Sequence, residues 1–207
     1  MILAAFGDVH GNAKALRAVL DDIDSFGILT ILHTGDCVCG AKNDAESLQL
    51  LADRAVPGAL GEWDHRLLRY VRKRKTLEKK LSQEDLDLLD LAYRQCSSAQ
   101  LEYLNNLDRL VSRTIDGVTI IACHGTVNSM HDALQPDEDD AVYARQRELH
   151  PALIILSGRT HQPHQRVIGD TLFVNPGAVG VHEGRAEYAI ISTEDDPWSV
   201  DFRTIEY

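Results

Sequence analysis

Five apolar residues, 2–6, run without a break and stop at Gly7-Asp8. A run that short and that continuous predicts a buried parallel strand. The apolar spacing then lengthens. Leu16, Val19, Leu20 and Ile23 recur every three or four residues, which predicts a helix over 13–26 that ends near Gly27. Residues 28–33 form the next apolar run and lead into Gly35-Asp36. Leu48, Leu50 and Leu51 mark a helix over 44–53, and 55–60 reads as a brief strand that delivers Gly61. The order strand, helix, strand, helix, strand predicts a right-handed parallel sheet.

The middle of the chain changes character. Residues 66–110 read as helix-rich, with a basic stretch over 69–80 followed by an acidic one over 84–90. Ser97 and Gln100 stand at capping-box spacing ahead of Leu101, Leu104 and Leu107. This region reads as a helical insertion within a single domain, 1–207. Its basic stretch reads first as a solvated helix face and second as a rim that attracts phosphate. Strand patterns then return over 110–115, 118–123, 153–156, 165–168, 172–174, 188–192 and 199–204. An acidic-capped helix is expected at 137–149, and Gly169-Asp170 marks a hairpin.

Length and charge narrow the field. A chain of 207 residues supports one substantial core. Its 32 acidic against 21 basic residues give a formal net charge of −11, which repels nucleic acid. A phosphorylated small molecule is compatible with that charge, because bound metal ions invert the local field. No window approaches the roughly 18 apolar residues of a membrane helix, and the first residues lack the basic region of a signal peptide. The expectation is a cytoplasmic protein with neither membrane nor nucleic-acid partner. The four cysteines lack zinc-finger spacing and read as reduced thiols, with Cys37 and Cys39 lining a packed loop.

Candidate chemistry gathers where strands end. Asp8 and His10 follow the first strand, Asp36 the second, Glu62 and Asp64 the third. His124 and His161 follow two later ones. Ligand sites in open α/β sheets lie beyond the carboxyl ends of strands. Mixed carboxylate and imidazole donors on rigid elements are what a divalent ion needs. Any one of these residues has a plainer role: Asp8 or Asp36 alone would serve as a helix cap. His33 and His150 read as structural or surface histidines.

Taken together the blocks carry a resemblance. Gly7-Asp8-Val9-His10-Gly11-Asn12, His33-Thr34-Gly35-Asp36, Leu60-Gly61-Glu62-Trp63-Asp64, Cys123-His124-Gly125, Gly158-Arg159-Thr160-His161 and Asn175-Pro176-Gly177-Ala178-Val179-Gly180 occur in order. They resemble the blocks of calcineurin-like phosphoesterases, and the last is similar to the small bacterial and archaeal phosphodiesterase branch. The resemblance implies an α/β fold, a four-layer α/β/β/α sandwich around a two-metal centre. It assigns Asp8, His10 and His161 to the first metal and Asp36 to a bridge between both, with Glu62 and His124 as further metal-site candidates. The ions would be Mn, Fe, Zn or Ni, one or two per chain, and a metal-bound hydroxide would attack a phosphodiester or small phosphomonoester. Asn12 and Arg159 are the candidate substrate contacts; Asp64, Arg159 and His65 are the candidate catalytic residues.

Three positions depart from the family pattern. Glu62 stands where a neutral Asn ligand of the second metal is usual, and Trp63 where a His protonates the leaving group. Arg159 stands where another second-metal ligand is usual, and Arg does not coordinate cations. Two readings follow. An ion pair between Glu62 and Arg159 replaces the second metal. Alternatively the metal stays, with Glu62 as an anionic ligand and Arg159 turned toward substrate phosphate. His65 is a candidate substitute for the missing proton donor, with a surface role as its plainer reading. The altered half of the site also admits a different class of function, a weak or inactive binding or scaffold protein on the same fold.

Overall fold

A computed structural model of the chain describes residues 1–40, 43–194 and 196–207. In chain order the elements are β1 (Ile2–Phe6), α1 (Ala13–Ser25), β2 (Thr30–His33), α2 (Asp44–Asp53), α3 (Glu62–Leu77), α4 (Gln83–Gln95), α5 (Ser98–Asn105), β3 (Leu110–Ile115), β4 (Val118–Cys123), α6 (Asp140–Leu149), β5 (Ile154–Ser157), β6 (His164–Ile168), β7 (Thr171–Asn175), β8 (Arg185–Ser192) and β9 (Ser199–Glu206). The strands form two sheets, of order β2-β1-β8-β9 and β3-β4-β5-β7-β6.

The period of two along each strand builds the layers. Leu3 and Ala5 of β1 meet Ile120 and Ala122 of β4, Ile154 and Leu156 of β5, and Leu172 and Val174 of β7 in a core between the sheets. The alternate residues, Ala4 and Phe6, pack outward on Leu16, Val19, Leu20 and Ile23 of α1 and on Leu48 and Leu51 of α2. On the far side Ile121, Ile155 and Phe173 pack on Tyr143 of α6. Helices, sheet, sheet and helix give the four-layer sandwich.

Two local expectations need correction. The first sheet is mixed, not wholly parallel: β1 pairs β2 in parallel but β8 antiparallel. Residues 55–60 form no strand of their own. They contribute two isolated bridges, Gly58 to His33 and Ala59 to Asp108, which tie the end of β2 to the approach of β3. The sequence explains why. A Cβ on Gly58 would stand 2.2 Å from the His33 ring, so only glycine admits this crossing. Pro57 has no N–H, and the Val56 carbonyl is taken by the Tyr103 hydroxyl at 2.9 Å.

The helical region is three consecutive helices, and it begins at Glu62, four residues earlier than expected. Gly61 caps α3, and Asp64 at the third helical position accepts from the Gly61 amide at 3.0 Å. The expected cap of α5 is present: the Gln100 amide donates to Ser97 Oγ, and the Ser97 amide to Gln100 Oε1. Helix α6 starts at Asp140 with Asp139 as its cap, three residues inside the expected range. No helix among the described residues is long and apolar enough to cross a membrane.

Candidate metal centre

The loops that leave β1, β2, β4, β5 and β7 converge beyond one end of the sandwich, stitched to one another by backbone bonds. Asp8 N–H donates to Gly35 O at 2.9 Å, and His10 N–H to Asp36 O at 3.0 Å. Gly158 N–H donates to His124 O, and Gly180 N–H to Asp8 O, each at 2.9 Å. Asn175 Nδ2 reaches Gly158 O at 2.8 Å and Thr160 Oγ1 at 2.9 Å, which fixes the loop carrying Arg159 and His161. Asp8, His10, Asp36, Arg159 and His161 all adopt positive φ, between 47° and 69°. Non-glycine residues in that region cost of order 1 kcal/mol or more each. These bends lie in the loops that bring the side chains together at this end of the sandwich.

Asp8, His10 and His161 each offer one donor atom within 4.8 Å of the others, and so do Asp8, Asp36 and His124. Asp8 belongs to both groups. His10 Nδ1 lies 2.9 Å from Cys39 O and His124 Nδ1 3.1 Å from Thr34 O. Carbonyls only accept, so each Nδ1 carries the proton and donates. Each Nε2 is thereby aimed into the site, the arrangement that orients a ligating histidine. Asp8 Oδ1, His10 Nε2 and His124 Nε2 are buried without a hydrogen-bond partner. His124 Nε2 stands 3.2 Å from Asp36 Oδ2, and His161 Nε2 3.4 Å from Asp8 Oδ1. His124 Nε2 and Asp8 Oδ1 thus have only ion-pair contacts and His10 Nε2 comes no nearer than 4.0 Å to Asp8 Oδ1, an arrangement that is costly unless something further compensates it. The chemistry of these groups, mixed carboxylate and imidazole, fits a divalent cation.

The charges inside the cluster are strongly interdependent. Burial works to raise Asp36, but the neighbouring His124 and then His10 bring it down to about 2. Burial works to lower His124, and Asp36 and Asp8 overcome it, to about 9. His161 is raised in the same way, against burial, by Asp8. Asp64 is pushed up by burial and then by the Asp36 charge. Its oxygens accept from the amides of Cys37 at 2.8 Å and Gly61 at 3.0 Å, so it lies beneath the cluster as a brace. A Cβ on Gly61 would stand 2.1 Å from Asp36 N, which keeps this position bare where α3 meets the β2 loop.

The other half of the site is an array of cations around one carboxylate. Arg159 Nη1 donates to Glu62 Oε2 at 2.6 Å. Arg66 donates to Glu62 Oε1, and His131 Nδ1 lies 3.0 Å from the same oxygen. Burial works to raise Glu62, but Arg159 and Arg66 hold it below the ordinary range. The Trp63 amide donates to Asp36 Oδ1 at 2.8 Å, and its ring lies 4.6 Å under the Arg66 guanidinium. A cavity of about 530 Å³ opens here, lined by His10, Asp36, Glu62, Trp63, Arg159 and His161.

The profile of the calcineurin-like phosphoesterase superfamily domain matches residues 1–196. The chain belongs to the calcineurin-like phosphoesterase superfamily. An uncharacterized protein of Methanocaldococcus jannaschii is 25% identical over 236 residues, which span 100% of this chain and 88% of that one. Two solved structures are similar in fold. A hypothetical protein of Pyrococcus horikoshii has a TM-score of 0.87 at 20% identity, covering 100% of this chain and 88% of the other. A metallophosphoesterase of Sphaerobacter thermophilus has a TM-score of 0.72 at 23% identity, covering 100% and 89%.

Within this phosphoesterase scaffold, Asp8, His10, Asp36, Glu62, His124, Arg159 and His161 come together, drawn from loops up to 153 residues apart. Three sequence candidates are placed elsewhere. Asp64 lies beneath the cluster with its oxygens taken by the Cys37 and Gly61 amides, and it does not line the cavity. Asn12 caps α1 through Ala15 N at 3.1 Å and donates to the Tyr207 hydroxyl at 2.7 Å, and it does not line the cavity. His65 faces a neighbouring cavity, where burial and then Arg69, Arg109 and His131 lower its pKa. Ala41 and Lys42, in the loop that follows β2, lie outside the described residues. Arg66 and His131 were not anticipated as parts of the site. Arg66 sits one helical turn after Glu62, the spacing of an i,i+4 ion pair, and that signal was present in the sequence. His131 carries no such signal beyond its place in the 126–135 loop.

Proposed function

We propose that the chain is a metal-dependent phosphoesterase acting on a phosphodiester or small phosphomonoester. The observation that carries this reading is the pair of donor groups that share Asp8, with His10 and His161 on one side and Asp36 and His124 on the other, in which Asp8 Oδ1, His10 Nε2 and His124 Nε2 are buried without a hydrogen bond. In this reading Asp8, His10, Asp36 and His161 would hold one divalent ion, and His124, which groups with Asp8 and Asp36, is a further candidate ligand. When bound, that ion would supply Lewis acidity and a water ionised near neutral pH. The protein groups do the rest. The carbonyls of Cys39 and Thr34 lock the two imidazole tautomers. Asp64 and the Trp63 amide hold the β2 loop and the Asp36 carboxylate in register. Arg159 presents a fixed positive charge over the cavity for phosphate oxygens.

In the same reading the pair Glu62–Arg159 takes the place of a second ion. Glu62 already accepts from two guanidiniums and neighbours a histidine, which supports this over a role as a metal ligand. A second functional class is favoured by one residue. Trp63 cannot protonate a leaving group, which suits a weak catalyst or a binding protein. Hydrolysis of bis-p-nitrophenyl phosphate with added manganese tests the choice. Turnover that is lost in Asp8→Asn supports the esterase; a metal-loaded chain that turns over no phosphoester supports the binding protein.

A further inference from the structure

The basic stretch of α3 is not one uniform solvated face. Arg66, Arg69 and Lys73 are spaced three and four residues apart, which places them on one side of a helix. That side lines a second cavity, of about 640 Å³. The helix departs from regular geometry at Lys73, and Lys80, three residues past its end, lines the same wall. Leu77 and Leu81 add apolar surface.

This cavity adjoins the metal centre: Glu62, Arg66 and His131 line both. Many of the chain's arginines are already neutralised, and Arg66 of this cavity is one of them, paired to Glu62. Arg17, Arg54, Arg74, Arg94, Arg147 and Arg166 are each paired to a carboxylate. Among the described residues no carboxylate lies within ion-pair distance of Arg69, Lys73 or Lys80. Arg69 meets His65 Nε2 at 3.4 Å, and a concave wall with three cations free of carboxylates concentrates positive potential. At a rise of about 1.5 Å per residue, Lys73 lies about 10 Å along the helix from Arg66.

We propose that this cavity is a subsite for a second phosphate group of the substrate. The natural substrate is then a small phosphate ester that carries a further phosphate, far enough from the first to reach past Arg66 toward Lys73. The assignment of the first phosphate rests on the esterase reading above. The acidic remainder of the surface and the short basic wall favour a small molecule over a nucleic-acid strand, which needs a longer basic track.

The test compares two ligands that differ only in the second phosphate, α,ω-octanediol bisphosphate and octyl phosphate, by calorimetric titration of the full chain. We expect the bisphosphate to bind about tenfold more tightly, as several exposed charge contacts would provide. That advantage should fall to about twofold or less in the double variant Lys73→Ala/Lys80→Ala. Both lysines are exposed, and circular dichroism checks the fold of the variant. Equal affinities in the wild type, or an advantage that survives the double substitution, would overturn the proposal. So would a single-stranded RNA that binds more tightly than the bisphosphate with the same lysine dependence. Hydrolysis of bis-p-nitrophenyl phosphate, followed in parallel, reads the metal centre alone. Its absence would remove the esterase reading, while a lysine-dependent bisphosphate preference would still support the second phosphate site.

Discussion

Arg159 Nη1 donates to Glu62 Oε2 at 2.6 Å, joining a strand-end loop to the first turn of α3 across 97 residues of chain. Each residue makes sense of the other. Arg159 alone would repel a nearby cation, and Glu62 alone would crowd a carboxylate against Asp36. If the pair replaces a second ion, the purified wild type holds one metal per chain. The double change Glu62→Asn with Arg159→His then raises the content toward two, and Arg159→His alone raises it less. Elemental analysis after gel filtration measures this. Two tightly held ions in the wild type, with Glu62 as a ligand, would reject the replacement and leave Arg159 as a substrate clamp.

Asp36 offers one oxygen to the Trp63 amide and the other toward His124. Its Asn variant preserves shape while removing the charge that the cation needs. We predict that Asp36→Asn lowers metal content sharply in a protein that still folds. Unchanged occupancy in a folded variant would remove Asp36 from the ligand set.

Trp63 lies against the cavity with its ring under Arg66, so no proton donor occupies that position. The predicted consequence is a steep dependence of rate on leaving group, with aryl esters cleaved far faster than alkyl esters. A general acid contributes about 10²–10⁴-fold. Trp63→His should therefore raise alkyl-ester hydrolysis by about tenfold or more and change aryl-ester hydrolysis little. An equal effect on both substrates would argue against a missing acid.

His33 provides a pH prediction away from the metal centre. Gly35 N–H donates to its Nδ1 at 3.2 Å, and its Nε2 meets the Tyr103 hydroxyl at 3.0 Å, which itself donates to Val56 O. The ring is thus neutral with the proton on Nε2, and burial lowers its pKa to about 4. The unfolded chain protonates this residue near 6.5. Its contribution is therefore complete above about pH 6.5 and is lost as pH falls from there toward 4, a total of about 3 kcal/mol. Denaturant midpoints of wild type and His33→Asn across that range should converge as the pH drops. A gap that stays constant with pH would count against the neutral buried ring.

Much of the frame was legible because its rules are local. The nearly continuous apolar run of β4 and the three- and four-residue spacing of α1 follow from strand and helix geometry, and both elements lie close to where the pattern puts them. The capping box at Ser97 and Gln100 is a contact between neighbours in sequence. The brief strand at 55–60 failed for the opposite reason. Its apolar residues satisfy the pattern, but pairing depends on what stands alongside, and the His33 ring and the Tyr103 hydroxyl take that place.

By itself the sequence determined the superfamily blocks, their order and the donor types they carry, since those are chemical identities fixed at each position. It also determined that Glu62, Trp63 and Arg159 break the usual pattern. Only the tertiary structure decided that Glu62 meets Arg159, Arg66 and His131 together, that Asn12 turns away to Tyr207, and that Arg69, Lys73 and Lys80 of the basic stretch line a cavity beside the candidate metal centre. The reason is physical. Charge pairs and cavities depend on distances between loops remote in sequence, and those distances are set by how the two sheets and the three inserted helices pack.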